Sequence, residues 1–415
     1  MAGTAVRIRR LLVCRTHGAH CKTTRKRAVS TTSSAGPLST LKIVEIAGLG
    51  PGPYCGMMLA DLGADVVRIE RPTKWTGTVA IDPRLVLNRN RRSVGVDLKH
   101  PDGVETVLRL VERADALFEG FRPGVAERLG FGPQICLDRN PRLVYGRMTG
   151  WGQDGPLAQT AGHDINYIAL AGTLSTVGEK NGRPIPAGNM LGDFGGGGML
   201  LAFGLLAAIL EARESGRGQV VDAAMIDGAA LLTTQNHEMM ARDAWVDARG
   251  SNLVDTGAHF YNTYETADGE YVAVGAVEPQ FYADLLQILA IPDAEELAAS
   301  QRDETSWATT HQRLAAIFRS RSRGEWVQLF EGSDSCVTPV LSLREAPQHA
   351  HNRERKTFVE VGGVVQPAPA PRFSRTPAPH PRPCPAFGEH TRSALVEWGI
   401  PDCDVEELLR VGALS

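Results

Sequence analysis

The sequence predicts an α/β protein: a large domain on a parallel sheet, followed by a smaller α+β domain. Three observations carry this. Short apolar runs alternate with helically spaced apolar residues between positions 41 and 121. The pattern then changes to paired short strands around 257–281. At 415 residues and 43% hydrophobic composition, the chain can bury more than one core. Strands alternating with helices imply parallel pairing, because each crossover needs a helix.

Residues 41–47 read as a buried first strand, 48–53 as a turn and 54–62 as a helix. Residues 64–70 form the next strand. Val104, Val107, Leu108 and Val111 keep helical spacing, and 116–121 follows as a further strand. Residues 260–264 and 271–274 flank Asp268 and Gly269, which is a hairpin signature. Residues 366–387 are proline-rich and expected to be extended, and 389–409 has the pattern of one amphipathic helix. The expected organisation is a basic tail over 1–37, a large domain over 38–225, linker helices and a small domain over 226–345, and a segment over 346–415 that returns to the large domain.

Residues 194–210 carry no charge, the short limit for a membrane span. Four glycines stand near its start, and Glu211, Arg213 and Glu214 follow it. Each glycine costs a helix about 1 kcal/mol against alanine. A tightly packed core helix is therefore expected, and no membrane span.

Seven cysteines are scattered without Cys-x-x-Cys spacing, which argues against a disulfide framework or a zinc site. The first 44 residues contain no acid but six arginines, with a serine- and threonine-rich run at 30–34. That is the mitochondrial presequence pattern. The chain ends in Gly-Ala-Leu-Ser, not Ser-Lys-Leu, so peroxisomal import has no support. Beyond residue 40 there are 36 bases against 47 acids, a net charge of -11 that does not suit a nucleic-acid binder.

Gly48-x-Gly50-x-x-Pro53 imitates a dinucleotide fingerprint. Pro53 stands where the third glycine should be and has no amide hydrogen for a phosphate, so a dinucleotide is not expected. Bases are dense from Arg68 to Lys99: Arg68, Arg71, Lys74, Arg84, Arg89, Arg91, Arg92 and Lys99. Arg71 and Arg122 fall at carboxyl ends of predicted strands, where parallel sheets bind ligands. Their forked donors suit phosphate oxygens, although a solvated basic face would read the same way.

His163 and Asp193, 30 residues apart, each precede a predicted helix. A histidine and an acid on opposite faces of a carbon can exchange its proton and invert it. Each residue alone has a plainer reading: a core or surface histidine, and a helix N-cap.

Nine segments occur in order: 50–53, 65–72, 121–124, 147–152, 162–167, 192–195, 218–222, 275–281 and 336–340. Together they resemble the family III CoA-transferase (CaiB/BaiF) superfamily, and within it the branch that racemises 2-methylacyl-CoA thioesters. The resemblance implies a Rossmann-like large domain, an interlocked homodimer with each site at the interface, and no cofactor, CoA being part of the substrate. It implies His163 and Asp193 as the bases for the two enantiomers and Glu278 as the acid orienting the histidine. It places acyl-CoA against Arg71, Val96, Asp97, Leu98, Lys99, Arg122, Gly162, Asp164, Ile165, Asn166 and Tyr167.

For this chemistry the histidine must be neutral when it takes the proton, and the aspartate protonated when it gives one. Burial would raise the Asp193 carboxyl and a helix N-terminus would lower it. Backbone amides near Asp164 are the expected donors to the enolate oxygen. In a CoA transferase, Asp193 would instead be the acyl-accepting nucleophile. The presence of His163 favours the racemase.

Overall fold

The computed structural model describes residues 35–72 and 84–415. Residues 1–34 of the expected presequence, and Lys74, lie outside the described residues.

The main sheet has six strands: β1 (Lys42–Ile46), β2 (Asp65–Glu70), β3 (Arg92–Gly95), β4 (Ala116–Glu119), β5 (Val144–Thr149) and β6 (Gln219–Ala224). Their order is β3-β2-β1-β4-β5-β6, and every neighbouring pair is parallel. This is the doubly wound order that reverses between β1 and β4. Side chains along each strand divide between the two faces. Val44, Ile46, Val67, Ile69 and Leu117 pack on one side, and Ile43, Val66, Ala116 and Phe118 on the other. Burial of both faces explains why these strands read as mainly apolar runs, interrupted by Glu45 in β1 and Arg68 in β2.

On one face lie α1 (Pro51–Asp61) and α6 (Leu200–Ser215). The other is covered by α2 (Pro101–Val111), with the short α3 (Val125–Leu129) and α4 (Pro133–Arg139). Glu45 is fully buried on the α1 side, paired with Arg68 and, at 3.2 Å, with Arg91. A cluster of buried charges inside a sheet face holds only while every member keeps its partner.

After β5 come α5 (Asp164–Leu170), a wide ten-residue π-helical segment over Met190–Met199 that runs directly into α6, then α7 (Met225–Leu232) and α8 (Thr234–Ala241). The four glycines near its start have a packing role. A Cβ on Gly196 would meet the backbone of Gly228 and Ala229 in α7, and one on Gly198 would lie 2.7 Å from the Pro51 carbonyl of α1. The continuous helix Met190–Ser215 is long and apolar enough to cross a membrane by length and composition alone. Its glycines are packed as expected, but Met199, Phe203 and Leu210 are exposed on the single chain.

The small sheet joins β7 (Tyr261–Glu265), β8 (Tyr271–Gly275) and β9 (Val337–Pro339), all antiparallel. With α9 (Pro279–Ile288), α10 (Ala294–Ala299), α11 (Trp307–Phe318) and α12 (Arg323–Phe330) it encloses a core of its own, centred on Phe260, Tyr264, Tyr282, Phe318 and Trp326.

A short helix α13 (Ala350–Arg355) and a hairpin of β10 (Phe358–Val361) and β11 (Val364–Pro367) precede the proline-rich stretch. The chain then returns to the main sheet. The buried Arg89 binds both Asp61 and Gln366, and Leu414 bridges to Val96. The single helix expected over 389–409 is two: α14 (Thr391–Glu397) and α15 (Asp402–Arg410). Gly399, in the left-handed region at φ 86°, and Pro401 part them. Trp398, just before that break, is buried and donates to Asp65 at 2.8 Å.

Candidate active site

A cavity of about 330 Å³ opens beyond the carboxyl ends of β1, β4 and β5, at the point where the strand order reverses. The turn that imitated a dinucleotide fingerprint supplies Gly48, Leu49, Pro51 and Gly52 to its wall. The loop after β4 supplies Phe121, Arg122 and Pro123, and the stretch leading into α5 supplies Gly162 and His163.

His163 is the exposed N-cap of α5, and its amide donates to the Asn166 side chain at 3.0 Å. Tyr167 stands one turn further on, its ring edge-on to Trp151 at 4.8 Å. Its hydroxyl donates to the Gly162 carbonyl. This bond and ring contact fold the loop back over the cavity and fix where the histidine starts.

Asp193 lies in the first turn of the wide helix, half-buried. Phe194, beside it, stacks on Tyr54 of α1 at 4.6 Å, which pins the segment from the other side. The Phe194 amide bonds the Asn189 carbonyl five residues back, the mark of π-helical winding, which recurs at functional sites. The turn after β1 passes so close that a Cβ on Gly50 would fall 2.9 Å from the Asp193 carboxylate. Gly50 also has φ 65°, so two constraints exclude a side chain there. Burial pushes the Asp193 carboxyl upward. A bond from Asn189 and the neighbouring His163 oppose that shift, and the Asp164 carboxylate adds to it. The net push is upward, so burial outweighs the Asn189 bond and His163.

Asp164 is only 6% exposed and accepts from the amides of both Gly192 and Asp193 at 2.7 Å. It joins the helix that starts at His163 to the one that carries Asp193.

Arg122, Gly162, His163 and Tyr167 line the cavity, and Asp164 and Asp193 stand behind that wall, Asp193 against Gly50 and near enough to His163 to feel its charge. Other expected residues do not reach this group. Ile165 and Asn166 are exposed on α5, outside the cavity wall. Arg71 and the 96–99 stretch follow β2 and β3, on the same edge of the sheet but off the wall. Val96 and Leu98 are buried in the core, so only their backbone can face a ligand. Asp97 accepts from the Lys99 amide, and Lys99 is exposed. Glu278 is the exposed N-cap of α9 in the small domain; among the described residues it makes no hydrogen bond to His163 or Asp193. Sequence reasoning missed Glu119, buried at the foot of the Arg122 loop. It accepts from the Phe121 amide at 2.6 Å, and burial pushes its carboxyl up to about 7. Its one legible signal is a lone acid closing an apolar strand.

The sequence profile of CoA-transferase family III matches residues 38–391. The chain is 46% identical over 376 residues to the Mus musculus protein named alpha-methylacyl-CoA racemase, covering 90% of this chain and 96% of that one. It is 30% identical over 409 residues to the Homo sapiens protein named succinyl-CoA:glutarate CoA-transferase, covering 91% and 90%. Among solved structures, a CaiB/BaiF family protein from Brucella suis superposes with a TM-score of 0.75 at 26% identity, covering 88% of this chain and 99% of that one. The profile spans the main sheet, the cavity and the small sheet, and the chain belongs to CoA-transferase family III.

Proposed function

We propose that the protein is a racemase acting on 2-methylacyl-CoA thioesters by 1,1-proton transfer. The observation that carries this is the pairing of His163, on the cavity wall, with Asp193 on an adjoining helix start joined to it through Asp164, together with the likeness to a protein named alpha-methylacyl-CoA racemase. Neutral His163 takes the α-proton from one enantiomer, leaving a planar enolate. Asp193, protonated, returns a proton to the opposite face. For the other enantiomer the roles exchange. A backbone amide near Asp164 donates to the enolate oxygen, an interaction typically worth about 2.7–4 kcal/mol. The upward push on Asp193 suits a group that must carry a proton in one direction and remove one in the other.

Arg122 at the cavity wall, with Arg71 and the 96–99 stretch along the same sheet edge, offers the phosphates of CoA a basic path. The functional unit is an interlocked homodimer in which Glu278 of one subunit orients His163 of the other. Its support is the exposed position of Glu278 and the exposed Met190, Met199, Phe203 and Leu231, apolar surface of the kind subunit contacts cover. The large domain (38–225) is then completed by the returning segment (346–415), and the small domain (226–345) keeps a core of its own. The acid-free basic N-terminus directs the protein to mitochondria, and fusing residues 1–37 to a reporter tests this: a cytosolic reporter refutes it.

A second reading has its own support, the likeness to a succinyl-CoA:glutarate CoA-transferase. There Asp193 would attack the thioester carbonyl, forming a mixed anhydride and releasing CoA thiolate. Incubating the protein lacking residues 1–37 with (2S)-2-methylacyl-CoA in D₂O separates the two. Racemisation with α-deuterium uptake and no acyl acceptor is expected. Retained configuration without label, with CoA exchange only after a free acid is added, would make it a transferase.

A further inference from the structure

Asp164 carries the furthest inference, and it rests on the two-base reading above. It stands next to the histidine in the stretch where the family resemblance places substrate. Its side chain is nevertheless committed inward: it is 6% exposed, and Oδ1 takes both the Gly192 and the Asp193 amide at 2.7 Å. Oδ2 is buried with no hydrogen-bond partner among the described residues. Gly192 leaves room for this contact, since a Cβ there would lie 2.5 Å from Asp164 Oδ1. A carboxylate spent on protein amides and shielded from the cavity does not bind substrate.

We propose that Asp164 is a positioning residue for Asp193: its carboxylate fastens the first turn of the wide helix to the start of α5, so that both bases are held from one point. A second consequence follows from charge. Asp164 sits near Asp193 as a like charge and discourages its ionisation, adding to burial, while His163 on α5 opposes. Tyr167, also on α5, feels Asp193 in return. From α1 and α7 the segment meets Pro51, Tyr54, Met225, Gly228 and Ala229, none of them charged. Asp164 is thus the acid of α5 that acts on Asp193, and it keeps Asp193 a stronger base than its distance from water alone would make it.

The test isolates Asp193 in the His163→Ala protein, where it is the remaining base, and follows α-deuterium uptake from the enantiomer it serves against pH. Adding Asp164→Asn keeps the two amide bonds but removes the charge. The ascending limb should move to lower pH and the plateau should fall, because a weaker base removes a carbon proton more slowly. Adding Asp164→Ala, or Gly192→Ala, should lower uptake at every pH by roughly tenfold to a hundredfold through misplacement. Both should also speed backbone amide exchange across residues 189–199, read by mass spectrometry in proteins with intact His163. A limb that stays in place in Asp164→Asn, or amide exchange over 189–199 that is unchanged in Asp164→Ala, overturns the proposal. If the unaltered protein takes up no α-deuterium, the two-base reading fails instead, and the amide measurement alone decides whether Asp164 positions this turn.

Discussion

The two regions that carry predicted catalytic groups are built in opposite ways. Around the cavity, His163 and Asp193 are held by α5, the wide helix, the turn after β1 and a shared buried carboxylate. In the small domain, Glu278 stands exposed at the start of α9, although the domain beneath it has a dense aromatic core. The difference fits the proposed homodimer, in which one chain prebuilds half of a site. One half fixes the two proposed bases beside a cavity. The other carries, on a firm platform, Glu278, which among the described residues bonds neither of them within its own chain.

The hardest test of the prebuilt half is loss of either base. His163→Ala and Asp193→Asn should each lower racemisation by about a hundredfold to ten-thousandfold. Each should still take up α-deuterium from one enantiomer, and from opposite ones. If both variants lose uptake from both enantiomers, the division of labour is wrong. The proposed partner contribution is tested by mixing. His163→Ala and Glu278→Ala proteins, each nearly inactive, are unfolded and refolded together. Half of the random dimers are mixed, and a mixed dimer has one intact site when the two residues come from different subunits. Activity should return to about a quarter of the unaltered protein's. Without such recovery, Glu278 works within its own chain or not at all.

A third test concerns what keeps the prebuilt half rigid. Glu45 lies under α1, close enough to Gly56 to exclude any side chain there, and neutralises Arg68 and Arg91. Glu45→Gln leaves the buried Arg91 without a carboxylate and Arg68 with Glu70 alone, and should destabilise by about 3–5 kcal/mol in denaturant unfolding. Replacing Glu45 and Arg91 together with methionine should recover most of that loss. If the single substitution costs under about 1 kcal/mol, the cluster is not a unit.

The same contrast explains what the sequence disclosed. β1, β2 and β4 are legible because they are central strands with both faces buried, so Ile43, Val44, Val66, Val67 and Leu117 keep an apolar signal that Glu45 and Arg68 interrupt without hiding. β3 and β6 are the edges of the sheet and carry Arg92, Ser93, Gln219 and Asp222, which dilute that signal. What glycines 196–198 pack against is not legible in the sequence, because only the fold brings α1 and α7 to where a side chain would collide. His163 and Asp193 were found through a resemblance and not through periodicity. The direction in which the Asp193 carboxyl moves depended on burial, which no local pattern encodes. That Asp164 faces inward is likewise a property of packing between segments 28 residues apart.

Glu119 supplies the smallest and sharpest test, because it joins the sheet to the Arg122 loop. The carboxyl is 3% exposed and accepts from the Phe121 amide, with the Arg147 guanidinium 4.0 Å away. Burial dominates: its folded value is pushed up to about 7, from an ordinary 4.5. Between those two values the folded protein holds a proton that the unfolded chain has released. Stability therefore falls as pH rises through this window, and above about 7 the full cost of an ionised buried acid remains. Glutamine keeps an acceptor for the Phe121 amide and cannot ionise. Glu119→Gln should leave stability near pH 4.5 little changed and raise it at pH 8 by up to about 3 kcal/mol, as the shift converts at about 1.4 kcal/mol per pH unit. Thermal unfolding across pH 4.5–8 reads this directly. Parallel profiles for the two proteins would mean that Arg147 already compensates the charge, and that the loop carrying Arg122 is as firmly held at alkaline pH as the helices that carry the bases.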